Sequence, residues 1–187
     1  MRTILICASV VLFGCGSGSG SAPESTVVKA AIFGDSLTNQ SNTTIMQFLP
    51  TGSELIIFGV DGHTAFDAFI GYGGAETYES KLARVPSDYC VILGYGTNEA
   101  IQNIPPVRYS EDIARLIGMA KIAHRCVILD APVFIRPISE EYIAVLYNFG
   151  IPVSSKPYVG LRDGIHPDSL GYVDRARELA SVLIKNK

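Results

Sequence analysis

Four short apolar runs, each closing on a small or acidic residue, constrain this chain more than any other feature. They are Val27 to Phe33 (broken by Lys29), Leu55 to Phe58, Tyr89 to Leu93 and Cys126 to Leu129. They stop at Gly34-Asp35-Ser36, at Gly59, at Gly94-Tyr95-Gly96 and at Asp130-Ala131-Pro132. None alternates with period two, as expected of strands buried on both faces of a parallel sheet. Ile151-Pro152-Val153 is a weaker fifth run, and Pro152 confines it to an edge.

Helical patterns fill the gaps. Ser110 is expected to cap a segment with Glu111 and Asp112 in its first turn, with Ile113, Leu116, Ile117 and Ala120 on one face. Ser139, followed by Glu140 and Glu141, opens another that Gly150 closes. After Pro167, a last helix places Leu170, Val173, Ala176, Ala180 and Leu183 on one side. Strands alternating with helices imply βαβ units, hence an α/β domain with an open parallel sheet covered on both faces. In such sheets the working residues gather beyond the carboxyl ends of the strands.

Composition narrows the class. The 187 residues are 48% hydrophobic and 18% charged, a globular balance that suits one sizeable core and excludes a disordered chain. A net charge of −3 argues against nucleic-acid binding, which needs a basic excess. Three histidines and four cysteines show no metal-ligand spacing, and no apolar run is long enough to span a bilayer.

The first residues read as an address. Met1-Arg2 is a basic start, and Ile4 to Phe13 is an apolar stretch of export-signal length. Leu12-Phe13-Gly14-Cys15 resembles a bacterial lipobox, which implies lipidation of Cys15 and a membrane-anchored location in the bacterial cell envelope. The alternative is an ordinary signal cut nearer Ala22. Residues 1–15 are therefore expected to be a signal, 16–26 a flexible Gly/Ser tether and 27–187 a single domain. The formal G-x-S-x-G in the tether lacks the strand and helix that a nucleophile elbow needs. Cys90 and Cys126 open similar runs and sit side by side if those strands are neighbours, either as a disulfide or as two buried thiols.

Four blocks stand at the strand ends or near the C-terminus. They are Gly34-Asp35-Ser36-Leu37-Thr38, Gly59-Val60-Asp61-Gly62-His63-Thr64, Gly96-Thr97-Asn98-Glu99 and Asp163-Gly164-Ile165-His166-Pro167. Together, in this order, they resemble the SGNH (GDSL) hydrolase family over the whole chain from about Val27 onward. The resemblance implies a flavodoxin-like three-layer α/β/α sandwich around about five parallel strands. It also implies an esterase, lipase, thioesterase, carbohydrate acetyl-esterase or acyltransferase activity. Glu99 stands where that family commonly has an Asp.

The residue types carry the same chemistry on their own. A serine hydroxyl attacks only when a base takes its proton, and imidazole is the side chain suited to that at neutral pH. Ser36 is the expected nucleophile and His166 the expected base. Asp163, three residues before His166, orients the imidazole. The backbone N–H groups of Ser36 and Gly62, with the Asn98 side chain, are the expected oxyanion donors. Asp35, Asp61 and Asp130 are rival acids without a sequence tie to His166, and His124 reads as a helix-end or surface histidine. This chemistry calls for no metal and no cofactor.

The expected substrates are carboxylic esters or thioesters of short or medium acyl groups. The runner-up is O-deacetylation of, or acyl transfer to, a cell-envelope glycan, and a non-catalytic envelope-binding domain stands outside the enzyme class. Walls are expected from Gly59–Phe66, Tyr95–Ile104 and Pro132–Ile138, and Phe134, Ile135 and Tyr95 are either apolar wall residues or core.

Overall fold

The computed structural model describes residues 27–132, 139–155 and 161–186. The expected signal, Cys15 anchor and tether, and the wall candidates Phe134 and Ile135, lie outside the described residues. Five strands form one parallel sheet: β1 (Lys29–Gly34), β2 (Glu54–Gly59), β3 (Cys90–Gly94), β4 (Val127–Asp130) and β5 (Val153–Ser154). Their order is β2-β1-β3-β4-β5. The chain winds one way from β1 to β2 and the other way from β3 onward, so the switch point lies between β1 and β3. Gly34 and Gly94 face each other across that junction. All five expected runs are strands, and the fifth, with Pro152 just before it, is the short edge strand.

Among the described residues eight α-helices accompany them: α1 (Ser36–Gln40), α2 (Asn42–Met46), α3 (Ala65–Ile70), α4 (Tyr78–Leu82), α5 (Thr97–Ile101), α6 (Pro106–Ala123), α7 (Ser139–Tyr147) and, after β5, α8 (Ser169–Lys185). Alternate strand residues point to opposite faces and build two cores. Ala31, Phe33, Val91, Leu93 and Leu129 pack with Tyr78, Ile113, Leu116 and Leu146. Ala30, Ile32, Ile92 and Ile128 pack with Ile45, Ala176, Leu179 and Leu183. Helices α2 and α8 thus cover one face, and α3, α4, α6 and α7 the other. Leu116 is fully buried, and its removal to alanine would cost roughly 2–5 kcal/mol.

Several local expectations are corrected. The helix expected to begin at Ser110 begins at Pro106, because proline at the first position forfeits an N–H that has no helical partner there. Its apolar face of Ile113, Leu116, Ile117 and Ala120 is buried as the periodicity requires. In α8, Leu170 is 73% exposed instead of buried, and Arg175 sits inside at 1%. Helix α8 is capped by Asp168, whose carboxylate accepts the Gly171 N–H at 2.8 Å. Tyr95, left open between wall and core, is a core residue at 3% exposure. His124 is the C-cap of α6, which bears out the helix-end reading, but it is buried and not on the surface, with Nδ1 3.2 Å from the Tyr89 carbonyl.

The pairing of β3 with β4 settles the cysteines. Cys90 and Cys126 are disulfide-bonded with Cα atoms 4.6 Å apart. The bond lies at the amino ends of the strands, the opposite edge of the sheet from Ser36. No helix among the described residues is long and apolar enough to cross a membrane.

Candidate active site

Ser36 is the first residue of α1, directly beyond β1. Asp35 is its N-cap, and its Oδ1 accepts the Leu37 N–H at 2.9 Å. The tight approach of α1 to the sheet requires Gly34, because a methyl group there would lie 2.1 Å from Thr38 Oγ1. Asp35 is itself buried at 1% exposure. Burial pushes its carboxyl up to about 7, although the Leu37 N–H and the nearby Arg175 favour the anion.

His166 reaches Ser36 from the other end of the chain. Its Nε2 is 2.9 Å from Ser36 Oγ, across 130 residues of sequence. Its Nδ1 is 2.8 Å from Asp163 Oδ2. Asp163 Oδ1 accepts the backbone N–H groups of His166 at 2.7 Å and Ile165 at 3.1 Å. Gly164, at φ +83°, makes that turn possible. The His166 backbone N–H, then the imidazole, then the Ile165 N–H hold the Asp163 carboxyl well below the usual carboxylate range. The turn is closed by the Arg162 N–H donating to the His166 carbonyl at 2.8 Å. The sequence-proposed serine, histidine and aspartate therefore stand in one hydrogen-bonded line.

The three proposed oxyanion donors lie beyond the carboxyl ends of β1, β2 and β3, with Ser36 opening α1, Gly62 in the loop before α3 and Asn98 in the first turn of α5. Gly62 adopts φ +76°, and a methyl group there would meet nothing within 4 Å, so its outer face is open. The Asn98 amide donates to the His63 carbonyl at 2.9 Å, which ties the first turn of α5 to the loop bearing Gly62. An amide carries two N–H donors, so that bond leaves one for another acceptor. Beside Gly62 opens a cleft of about 440 Å³, lined by Asp61, His63, Asp67, Tyr72, Gly73 and Gln102. Burial lowers the His63 imidazole below its ordinary value. A second, more apolar cavity of about 340 Å³ borders Cys90, Cys126 and Leu183 at the amino ends of the strands.

The rival acids are engaged elsewhere. Asp61 accepts from Asn39 at 3.0 Å, and Asp130 pairs with Arg175. Two residues that the sequence reading did not assign hold the site's framework. Glu99, 2% exposed, accepts the Ala65 N–H at 2.6 Å and the Gly96 N–H at 2.8 Å. Arg175 bonds the Leu37 carbonyl at 2.8 Å. Its signal was present: a charged residue inside the apolar stripe of α8, four positions before Leu179 and eight before Leu183. No group of three or more His, Cys, Asp or Glu side chains that could hold a metal occurs among the described residues.

Comparison with known proteins places the fold. No family model and no curated protein matches the sequence. Solved structures match most of it, and they are GDSL-family lipolytic proteins, SGNH hydrolases and acetylesterases. A member of the lipolytic G-D-S-L family from Veillonella parvula is 16% identical, with a TM-score of 0.64, covering 85% of this chain and 97% of that one. A carbohydrate acetylesterase from Sinorhizobium meliloti is 17% identical, TM-score 0.64, over 84% of this chain and 99% of its own. A variant of an acetyl-xylooligosaccharide esterase from Geobacillus is 14% identical, TM-score 0.65, over 83% and 94%. At such identities the likeness establishes a shared flavodoxin-like three-layer fold.

Proposed function

We propose that the chain is a carboxylic ester hydrolase that works through an acyl-enzyme on Ser36. The observation that carries this reading is the line from Ser36 Oγ to His166 Nε2 at 2.9 Å and from His166 Nδ1 to Asp163 Oδ2 at 2.8 Å. The fold's known members support it by kind: the solved relatives include acetylesterases.

The steps follow from the geometry. His166 Nε2 takes the Ser36 hydroxyl proton as Oγ bonds to the acyl carbon. The Nδ1–H donates to Asp163, which stays ionised because the surrounding N–H donors hold its carboxyl low. The tetrahedral oxyanion is received by the N–H groups of Ser36 and Gly62 and by the second N–H of Asn98. The C–O or C–S bond then breaks, and His166 returns the proton to the leaving alcohol or thiol. Water repeats the sequence in reverse roles and releases the acid. No cofactor takes part.

A second reading has a specific observation in its favour. The cleft beside Gly62 is lined by two carboxylates, an imidazole, an amide and the exposed Tyr72 ring, groups that suit a hydroxyl-rich leaving group. On this reading the substrate is an O-acetylated glycan of the envelope, and the same serine releases or transfers its acetyl group. We further propose export and lipid attachment at Cys15, supported by the signal-like residues 1–15. Cys15→Ser should abolish incorporation of labelled fatty acid, and a native chain free of lipid would count against the anchor.

The deciding experiment is Ser36→Ala. The folded variant should lose on the order of 10⁴-fold in turnover or more and fail to take a fluorophosphonate label. An unchanged rate would end the assignment. Asp163→Ala should cost less than His166→Ala, since an imidazole without its orienting acid still has a lone pair. Acetylated glycan and simple acetate esters, run side by side, separate the two substrate readings.

A further inference from the structure

Helix α1 carries one half of the proposed relay and the turn just before α8 the other, and one buried side chain joins the two helices. Ser36 opens α1, whereas His166 lies three residues before the first residue of α8. Arg175, in the second turn of α8, is 1% exposed. Its Nη1 donates to the Leu37 carbonyl at 2.8 Å and to the Ser41 hydroxyl. Its Nη2 donates to Asp130 Oδ2 at the carboxyl end of β4, and Asp130 is also 1% exposed. The pair lies under Gly94, where an added methyl would sit 3.6 Å from both Arg175 Nη2 and Asp130 Oδ2.

Stability alone does not call for an arginine here. A buried ion pair costs several kcal/mol per ion to desolvate, and well-packed apolar residues in its place are often neutral or stabilising. What apolar residues cannot do is grip a carbonyl in the turn that follows the nucleophile. The planar guanidinium holds its donors in a fixed fork, so anchoring one side on Asp130 fixes where the other side reaches Leu37. A lysine places its donors on one nitrogen and cannot span both. Ser41, fully buried, adds a second grip on the same segment by donating to Leu37 O.

We propose that Arg175 is the positioning residue for the nucleophile, setting the approach of the Ser36 hydroxyl to the His166 imidazole by clamping α1, α8 and β4 together. The proposal rests on the Ser36–His166 reading above. It acts through geometry alone, and a displacement of about 1 Å at a reacting group can cost on the order of 10²-fold in rate.

The test uses three variants of the full chain with a soluble chromogenic acetate ester, alongside Ser36→Ala. Arg175→Met combined with Asp130→Leu removes both charges while filling the space. The folded double variant should lose on the order of 10²-fold in kcat with KM within about threefold, and its fluorophosphonate labelling should slow in parallel. Arg175→Lys should fall between it and the native protein. Ser41→Ala, which leaves the ion pair intact, should lose about tenfold in kcat. A folded double variant with native kcat overturns the proposal. Should the double variant not fold, Ser41→Ala decides: a tenfold loss in kcat at constant KM supports the clamp, and a native kcat overturns it. Full activity in Ser36→Ala would instead overturn the serine reading, and the clamp with it.

Discussion

Glu99 receives the Ala65 N–H at 2.6 Å across 34 residues of sequence. With its other oxygen it takes the Gly96 N–H at 2.8 Å. One carboxylate thus joins the start of α3 to the loop that follows β3, and these two segments flank Gly62 and Asn98. Gly96 stands at φ +124°, a conformation that side chains rarely adopt. The position where the resembling family commonly has an Asp is filled here by a longer acid that spans both donors.

Glutamine at this position keeps the shape but offers one acceptor oxygen instead of two. One buried N–H then loses its partner, at a cost of about 1–3 kcal/mol. Glu99→Gln should lower the midpoint in urea accordingly. A native midpoint would show that the two bonds are not needed together.

The pH dependence of stability should expose Asp35. Burial raises its carboxyl to about 7 in the native protein, against about 4 in an unfolded chain. Between those values the native state holds a proton that the unfolded state has released. Stability therefore falls as pH rises from about 4 to about 7, by up to about 1.4 kcal/mol per pH unit from this group. Glu99, raised to about 7 mainly by burial, acts in the same direction. Asp163 acts oppositely: its lowered value adds stability above about pH 4 that is lost as pH falls. Asp35→Asn keeps an acceptor for the Leu37 N–H and removes the ionisation. Urea unfolding at several pH values should show a shallower decline for the variant between pH 4 and 7. An identical slope would show that Asp35 is ionised in the native protein.

The strands were legible in the sequence because each is a near-continuous apolar run ended by a glycine or an acid. The blocks around Ser36, Gly62 and Asn98 were legible because each directly follows an apolar run, and the Asp163–His166 pair because an acid stands three residues before a histidine just ahead of the last helix. Other features were hidden for physical reasons. Helix α6 begins on Pro106, four residues before the serine that resembled its cap. Helix α3 is capped by the reciprocal bonds of Thr64 and Asp67, a signal overlooked beside the glycine-rich block. Leu170 fits the periodicity of α8 but lies at the helix start, where the turn below it is missing, and stays exposed. The partners of Arg175 are distant in sequence, 45 residues for Asp130 and 138 for Leu37. Periodicity marks such a residue as out of place, but only the assembled sheet shows what it holds.

The Cys90–Cys126 bond should matter for folding and not for chemistry. It closes a loop of 36 residues in sequence separation, which constrains the unfolded chain by roughly 2–4 kcal/mol. Replacing both cysteines by alanine should lower the melting temperature by about 5–15 °C while kcat stays near native. The bond joins the amino ends of β3 and β4, and Ser36 lies beyond the carboxyl end of β1. A comparable loss of kcat at temperatures where the variant is folded would contradict this separation.

The cleft beside Gly62, polar whichever side of the ester enters it, bears on acyl-chain preference. Among the described residues beside Gly62, the walls are Asp61, His63, Asp67, Tyr72 and Gln102, and Tyr95 is withdrawn into the core. Each methylene buried from water contributes about 0.8 kcal/mol, roughly fourfold in affinity, but only where an apolar surface receives it. A polar, open cleft gives a lengthening chain little to bury against. Acetate and butyrate esters should therefore have the higher kcat/KM, with values level or falling from hexanoate onward. The rate should show no jump as substrate passes from solution to emulsion. A steady rise to decanoate, near fourfold per methylene, would mean that an apolar channel receives the acyl chain and would overturn the short-acyl reading.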